Sequence, residues 1–191
     1  MTASKSGRFE LIETPIPDLH LLQRKPVGDN RGYFQRMFCA ADLAEIGWQD
    51  AIAQINHTFT ATKGTVRGMH LQLSPNAEMK LISCLKGEVW DVAVDLRAAS
   101  PTFLTWHAVL LSQENQRSFL IPPGFAHGFQ TMTDNVEMLY CHNKSYAPAS
   151  ELGLNPFDAR LSIKWPLTVT EISDKDRNRT MLSPEFQGII V

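Results

Sequence analysis

The sequence lacks the features of a secreted, membrane-bound or disulfide-stabilised protein. Its 191 residues contain only three cysteines, Cys39, Cys84 and Cys141, which lie far apart among apolar neighbours and predict free thiols. No apolar run is long enough to cross a bilayer, and residues 1–7 contain no apolar stretch of the kind that a signal peptide requires. We therefore expect a cytoplasmic protein without a membrane partner.

An excess of charge of either sign is also lacking. Lysine and arginine number 18 against 20 aspartates and glutamates, which gives a formal net charge of -2. Such a balance provides no general electrostatic field that would attract nucleic acid. The sequence therefore predicts no nucleic-acid partner, and any phosphate that the protein binds must be recognised by local residues.

The chain has no internal repeat or linker-like tract, and its length predicts one domain over residues 1–191. In residues 88–96 the even-numbered positions from Trp90 to Leu96 are apolar, whereas the odd-numbered ones include Asp91 and Asp95. This alternation predicts a strand with one strongly apolar face. Further short runs, separated by turn-like residues, follow at 106–111, 118–121, 129–132 and 136–142.

Helical patterns are scarce by comparison. Only residues 40–46 have a helical pattern, and the strand pattern weakens into loops after Tyr146. Many short strands at close spacing are typical of a β-sandwich or barrel. We predict an all-β, antiparallel and nearly closed sheet with a short N-terminal helix and a loop-rich C-terminal segment.

Two short motifs carry the clearest indication of function. Residues 67–72 read Arg-Gly-Met-His-Leu-Gln, and residues 123–129 read Pro-Gly-Phe-Ala-His-Gly-Phe. The pair resembles the two motifs of the cupin jelly roll, which implies that His70 and His127 lie inside one barrel. Metal-binding cupins have a second histidine where this chain has Gln72, and a neutral amide is a poor substitute for imidazole. We therefore predict a site without metal or other cofactor.

A histidine inside a barrel without metal suits general acid–base catalysis, because imidazole titrates close to working pH. Histidines in sheets also commonly make one ordinary structural hydrogen bond. His70 and His127 stand apart only through their motifs. We expect the structural role for the other four, His20, His57, His107 and His142.

A closer resemblance extends over most of residues 28–166. Six blocks in one order are similar to the dTDP-4-dehydrorhamnose 3,5-epimerase family: 28–34, 54–57, 64–70, 86–97, 100–103 and 121–129. The resemblance implies an isomerase that inverts carbons beside the ketone of a nucleotide-linked 4-keto-6-deoxy sugar. Whether C3, C5 or both are inverted stays open, as do the pathway and the final sugar.

Such a substrate dictates the groups that its enzyme needs. The C4 ketone acidifies the protons on C3 and C5, so inversion requires a base, an acid on the opposite face of the ring, and a cation at the enolate oxygen. The resemblance assigns these roles to His70, Tyr140 and Lys80 respectively. It also places a carboxylate partner of His70 in the run Ser-Asp-Lys-Asp at 173–176, at Asp176 rather than Asp174.

Substrate contacts follow from the same resemblance. It implies that sugar and phosphates are contacted by Arg31, Arg67 and His127, and that further polar contacts come from Gln54, Asn56 and Glu151. Tyr146 would stack on the nucleobase, with Phe34 adding apolar surface. In the family some of these groups come from a neighbouring subunit, which implies a homodimer.

Arg36 departs from the family, which usually has a glutamate at this position. A carboxylate can accept the N3 hydrogen of thymine, whereas a guanidinium can only donate. Cytosine presents two acceptors that would suit an arginine. The residues therefore leave a thymidine-linked and a cytidine-linked substrate open, and Arg36 is a candidate contact to the base.

Two other functions also stay open. One is a cupin isomerase that moves the ketone of a 4-keto sugar instead of inverting a carbon. The other is a cupin that binds a sugar or a metal without catalysis. Only an enzyme that forms an enolate would exchange substrate protons with solvent, so exchange separates catalysis from binding.

Overall fold

The computed structural model describes residues 2–3 and 7–191, which form fourteen β-strands and two short α-helices. The strands are β1 (Thr2–Ala3), β2 (Phe9–Glu13), β3 (His20–Arg24), β4 (Val27–Asp29), β5 (Gly32–Phe34), β6 (Gln54–Thr60), β7 (Val66–Gln72), β8 (Lys80–Lys86), β9 (Glu88–Asp95), β10 (Trp106–Ser112), β11 (Arg117–Ile121), β12 (Phe125–Thr131), β13 (Val136–His142) and β14 (Glu151–Gly153). The helices are α1 (Ala40–Ala44) and α2 (Asp174–Arg177).

Two antiparallel sheets share one core. A seven-stranded sheet has the order β1-β2-β3-β11-β8-β13-β6, and a five-stranded sheet has the order β10-β9-β12-β7-β14. Buried side chains of both sheets, such as Ile82 of β8 and Phe129 of β12, pack together between them. This arrangement confirms the predicted all-β, antiparallel jelly roll. None of the helices among the described residues has the length and apolar character needed to span a bilayer.

Both helices are short. Helix α1 confirms the predicted N-terminal helix but ends two residues before the expected position 46. The helix is terminated by Gly47, which adopts φ +95°, and by a hydrogen bond from the backbone N–H of Trp48 to the backbone oxygen of Leu43. Helix α2 is four residues long, too short to show a periodic pattern, and was not predicted. Its first turn is held by Ser173 Oγ, which accepts a hydrogen bond from the backbone N–H of Asp176.

Strand β9 forms where the alternation predicted it, but both of its faces are buried. The apolar face, including Val92 and Val94, packs under the loop-rich C-terminal segment together with Leu161. The mixed face, with Asp91, points into the core between the sheets. The carboxylates of this face are therefore not solvated.

Strands β7 and β12 carry the two motifs and lie side by side. Their approach needs glycine, because a Cβ on Gly68, at φ +121°, would lie 2.5 Å from the Cα of Gly128. The register places His127 directly opposite His70. Strand β12 begins at Phe125, four residues before the predicted run. Its first residues were missed because all seven residues of the strand are buried and the sequence shows no alternation there.

Candidate active site

A cavity of about 920 Å³ opens between the two sheets. Ten of the thirteen residues singled out from the sequence line it: His70, Tyr140, Asp176, Lys80, Gln54, Asn56, Arg67, His127, Tyr146 and Glu151. His70 and Arg67 come from β7 of the five-stranded sheet, whereas Tyr140 comes from β13 of the facing seven-stranded sheet. A ring bound in the cavity would thus have different chemistry on its two sides.

His70 and Asp176 form a close pair. His70 Nε2 donates to Asp176 Oδ1 at 2.6 Å, and the backbone N–H of Gly68 donates to the other carboxylate oxygen at 3.3 Å. Burial alone would raise the pKa of Asp176, but the hydrogen bonds and the His70 partner outweigh it and leave the pKa lowered. Asp174 is exposed, so the pair is made by the aspartate that the resemblance favoured. A hydrogen on Nε2 leaves the Nδ1 lone pair of His70 free to accept a proton.

Tyr140 lies between two imidazole rings. Its ring makes an edge contact with His127, with 6.1 Å between centroids, and stacks on His142 at 6.2 Å. Burial raises the pKa of the phenol, and the nearby Asp91 carboxylate raises it further. The phenol therefore holds its proton at neutral pH.

His127 is held by a carboxylate that the sequence analysis did not single out. Its Nε2 donates to both oxygens of Asp91, at 2.9 and 3.1 Å, and Asp91 is fully buried. Burial raises the pKa of Asp91, although His127 and the charge of Lys80 counteract it. In the sequence, the role of Asp91 was indicated by an aspartate on the mixed face of a strand whose other face is apolar.

Lys80 is linked to two further residues that were not predicted as site residues: it contacts Glu78 directly and His142 through Glu78. Its Nζ lies 3.0 Å from Glu78 Oε1 and donates to the backbone oxygen of His70 at 3.2 Å. Glu78 Oε2 accepts from His142 Nδ1 at 3.0 Å. His142, expected to be structural, therefore lies on the cavity wall. Their place at the site was indicated by spacing. Glu78 stands two residues before Lys80, and His142 two residues after Tyr140, and this period keeps strand side chains on one face.

The mouth of the cavity carries an ionic cluster around Glu151. Tyr146 Oη donates to Glu151 at 2.5 Å, Lys175 Nζ lies 2.7 Å from its carboxylate, and Arg179 also contacts it. The hydrogen bond from Lys175 is the largest of the effects that lower the pKa of Glu151 to about 2. Lys175 and Arg177, which were not predicted as site residues, also line the cavity from α2.

Amide side chains and Arg67 are held on the remaining wall. Gln54 accepts from the backbone N–H of Tyr146 at 2.9 Å and donates to Asn56 Oδ1 at 3.0 Å. Arg67 Nε donates to Thr60 Oγ1 at 3.0 Å. These bonds orient polar groups in the cavity before any substrate arrives.

Gln72, which occupies the position of the second cupin histidine, has a structural role. Its amide oxygen accepts from the backbone N–H of Ala147 at 2.6 Å, and its Nε2 donates to the backbone oxygens of Asn76 and Ser145 and to Glu78. Among the residues that the structure describes, no three or more histidine, cysteine or acidic side chains are grouped to hold a metal ion. The metal-free site stays a prediction.

The other three predicted contacts, Arg31, Phe34 and Arg36, do not line this chain's cavity. Strands β4 and β5 form a separate hairpin with exposed side chains, in which Arg31 pairs with Asp29 at 2.6 Å and Phe34 is 66% exposed. Arg36 lies 3.4 Å from the buried Asp42 of α1. The hairpin therefore serves a substrate only if it reaches another chain.

The sequence model of the dTDP-4-dehydrorhamnose 3,5-epimerase family matches residues 13–184. The dTDP-4-dehydrorhamnose 3,5-epimerase of Shigella flexneri is 44% identical over 171 residues, which are 89% of this chain and 94% of the relative. The Bacillus anthracis enzyme, solved with TDP and PPi bound, superposes with a TM-score of 0.87 at 38% identity, over 91% of this chain and 99% of that one. The Legionella pneumophila dTDP-6-deoxy-D-glucose-3,5-epimerase, in complex with dTDP-4-keto-L-rhamnose, gives 0.86 at 41% identity, over 91% and 92%. The chain therefore belongs to the dTDP-4-dehydrorhamnose 3,5-epimerase family of isomerases.

Proposed function

We propose that the cavity inverts C3 and C5 of a dTDP-linked 4-keto-6-deoxy sugar through an enolate. The observation that carries this proposal is the placement of the His70–Asp176 pair and Tyr140 on facing sheets, across one cavity. An inversion needs a base and an acid on opposite faces of the ring, and this placement supplies both.

In the proposed first step, His70 removes a proton from the carbon beside the ketone. Asp176 keeps the hydrogen on Nε2 and so presents the Nδ1 lone pair as the base. It then stabilises the imidazolium that forms, as the carboxylate of a catalytic triad does. The lowered pKa of Asp176 supports this role, because the carboxylate stays ionised throughout the neutral range.

Lys80 then stabilises the enolate. Its side chain is 8% exposed and lines the cavity. A fixed positive charge in such a site stabilises negative charge that develops on the former ketone oxygen. Loss of a group of this kind raises a barrier by roughly 3 to 4 kcal/mol.

Tyr140 completes the inversion by giving its proton to the opposite face of the carbon. The raised pKa of its phenol keeps it protonated until the carbanion-like carbon is available. Its ring contacts His127 and His142, which hold it in place at the cavity wall.

The mouth of the cavity suits the nucleotide part of the substrate. Tyr146 presents an exposed ring for a planar base, and Arg67, Lys175 and Arg177 supply cations for the diphosphate. A thymidine-linked sugar is proposed, because the relatives are named for dTDP sugars and Arg36 is engaged with Asp42.

We also propose a homodimer in which hairpin β4–β5 reaches the neighbouring cavity. Strand β6 is the edge of the seven-stranded sheet and exposes Ile55 and Phe59, which is typical of a surface that is covered by another chain. Phe34 is exposed at the hairpin and has no place in its own chain's cavity.

Subunit mixing tests this exchange. One chain would carry Arg31→Ala and Phe34→Ala, and the other His70→Asn. If the hairpin serves the neighbouring cavity, a randomly mixed sample contains intact cavities and recovers about a quarter of wild-type activity. No recovery on mixing would refute a shared cavity, and a monomer in analytical ultracentrifugation would refute the dimer.

The function itself is tested by incubation with dTDP-4-keto-6-deoxyglucose in deuterium oxide, followed by proton NMR and mass spectrometry. We expect deuterium at both C3 and C5, with inverted configuration. Deuterium at one carbon would indicate a single epimerase, and a displaced ketone would indicate the isomerase alternative. A substrate that binds without any exchange would show that the protein is a binding module.

A further inference from the structure

We propose that Glu78 and His142 are positioning residues that hold the Lys80 ammonium in its working place at the enolate oxygen. This inference rests on the proposed function, in which Lys80 meets that oxygen. The family resemblance assigned no site role to either residue, and the structure brings both to the cavity wall.

The three side chains form a continuous chain of charged contacts. Lys80 and His142 are cross-strand neighbours on β8 and β13, and Glu78 precedes β8 by two residues, so that all three face inward. The Glu78 carboxylate spans them, with Oε1 at 3.0 Å from Lys80 Nζ and Oε2 at 3.0 Å from His142 Nδ1. The side chains of Glu78 and Lys80 are only 9% and 8% exposed.

A buried ammonium needs such a carboxylate. Removal from water disfavours the charged form of a lysine, and a close anion restores it. The remaining contact of Lys80, the backbone oxygen of His70 at 3.2 Å, is neutral and provides direction but no compensating charge. Glu78 therefore supplies the negative charge that balances the Lys80 ammonium at the cavity wall.

Asp91 is the other carboxylate whose charge interacts with Lys80, but it cannot replace Glu78. Both of its oxygens are engaged by His127, at 2.9 and 3.1 Å. Glu78 alone among the acidic residues described by the structure contacts the Lys80 ammonium directly. The groups that face Lys80 are thus Glu78, His142, Asp91 and the His70 carbonyl.

His142 fixes the orientation of the carboxylate. Its Nδ1–H donates to Oε2, and Gln72 Nε2 donates to the same oxygen at 3.2 Å, so Oε1 is left for Lys80. Burial would raise the pKa of Glu78, yet His142 and Lys80 leave it lowered, which keeps the carboxylate ionised. Unlike Gln72, His142 also stacks on Tyr140, so it contacts both the carboxylate that holds Lys80 and the proposed acid.

Two variants of Glu78 separate charge from position. Glu78→Gln keeps an oxygen acceptor but removes the charge, and we expect kcat to fall on the order of tenfold to a hundredfold. Glu78→Asp keeps the charge but is too short to span both partners, so kcat should fall in this variant as well.

His142→Phe tests the second half of the inference. It keeps a ring beside Tyr140 and removes the hydrogen bond to Glu78, and we expect a loss in kcat of roughly threefold to tenfold. KM for dTDP-4-keto-6-deoxyglucose should change little in all three variants, because the nucleotide contacts lie at the mouth. Glu114→Gln, in an exposed turn, is the matched control and should behave as wild type.

Acetylation of Lys80 by acetic anhydride, read by peptide mass spectrometry, gives a measure independent of turnover. The rate at pH 8 should rise in Glu78→Gln, in which no carboxylate holds the Lys80 side chain, and stay unchanged in Glu114→Gln. Should Glu78→Gln fail to fold, the kcat of Glu78→Asp decides, and a wild-type value overturns the inference.

Other results also overturn it. Wild-type kcat in both Glu78 variants would do so. Losses confined to KM or melting temperature would also do so, because they would mean that Glu78 merely supports Gln72. Wild-type protein that exchanges no substrate protons would instead refute the proposed function, so the two failures are distinguishable.

Discussion

His70 Nε2 lies 2.6 Å from Asp176 Oδ1, although 106 residues separate the two in the chain. His70 stands on β7, and Asp176 is delivered by α2, a single turn in the C-terminal segment that packs against β7. The base of the proposed reaction is therefore assembled only when this segment docks on the five-stranded sheet.

This pair should behave as one unit in kinetics. His70→Asn and Asp176→Asn each remove the function of the pair, and we expect each to lower kcat by several orders of magnitude. The double variant should be little worse than the worse single one. Additive losses in kcat, measured on the same substrate, would show that the two residues act separately.

Tyr140→Phe should separate proton removal from inversion. The variant keeps the ring between His127 and His142 but lacks the proton that completes the inversion. In deuterium oxide we expect solvent exchange at the substrate to survive better than net epimerisation. Equal loss of exchange and epimerisation would place Tyr140 on the side of the base or in a structural role.

The ionic cluster at the mouth predicts a pH dependence of stability. The pKa of Glu151 is lowered to about 2 in the folded protein, below an unfolded value of about 4.3. Its contribution to stability is therefore complete above the unfolded pKa and is lost as the pH falls toward the folded one. The difference in melting temperature between wild type and Glu151→Gln should be largest at neutral pH and narrow below about pH 4.5. The difference for Glu114→Gln should not follow this course.

Metal removal should leave turnover unchanged. Gln72 occupies the position of a cupin ligand, and its amide is engaged by Ala147, Asn76, Ser145 and Glu78. We expect the purified protein to hold no stoichiometric zinc or iron by elemental analysis, and activity to persist in chelator. Loss of activity in chelator that added metal restores would reverse this prediction.

The sequence predicted most strands in the second half of the chain from short runs separated by turn-like residues. Strands β9, β10, β11 and β13 appear close to the expected positions. Strand β12 was predicted to begin four residues too late, because residues 125–128 show no alternation in the sequence, and α2 was missed, because a single helical turn carries no periodic pattern.

The site residues show a similar limit to what can be predicted from the sequence. His70 and His127 could be named from their motifs and Tyr140 from the family resemblance, whereas Asp91 and Glu78 were missed and His142 was expected to be structural. In a sequence, an acidic residue at alternate strand positions is indistinguishable from one on a solvated face. Only the packing of the second sheet and the C-terminal segment turns these positions into the interior of a cavity.

The choice of nucleobase is tested at Arg36. Its guanidinium lies 3.4 Å from the buried Asp42 carboxylate, outside its own chain's cavity, and a donor engaged in this way does not need cytosine as a partner. We therefore expect kcat/KM to favour the thymidine-linked over the cytidine-linked 4-keto sugar, and Arg36→Glu to leave that preference unaltered. The like charge of Asp42 should lower the melting temperature of Arg36→Glu, for which Arg36→Gln is the control. A preference for the cytidine form that Arg36→Glu abolishes would show that Arg36 reads the base.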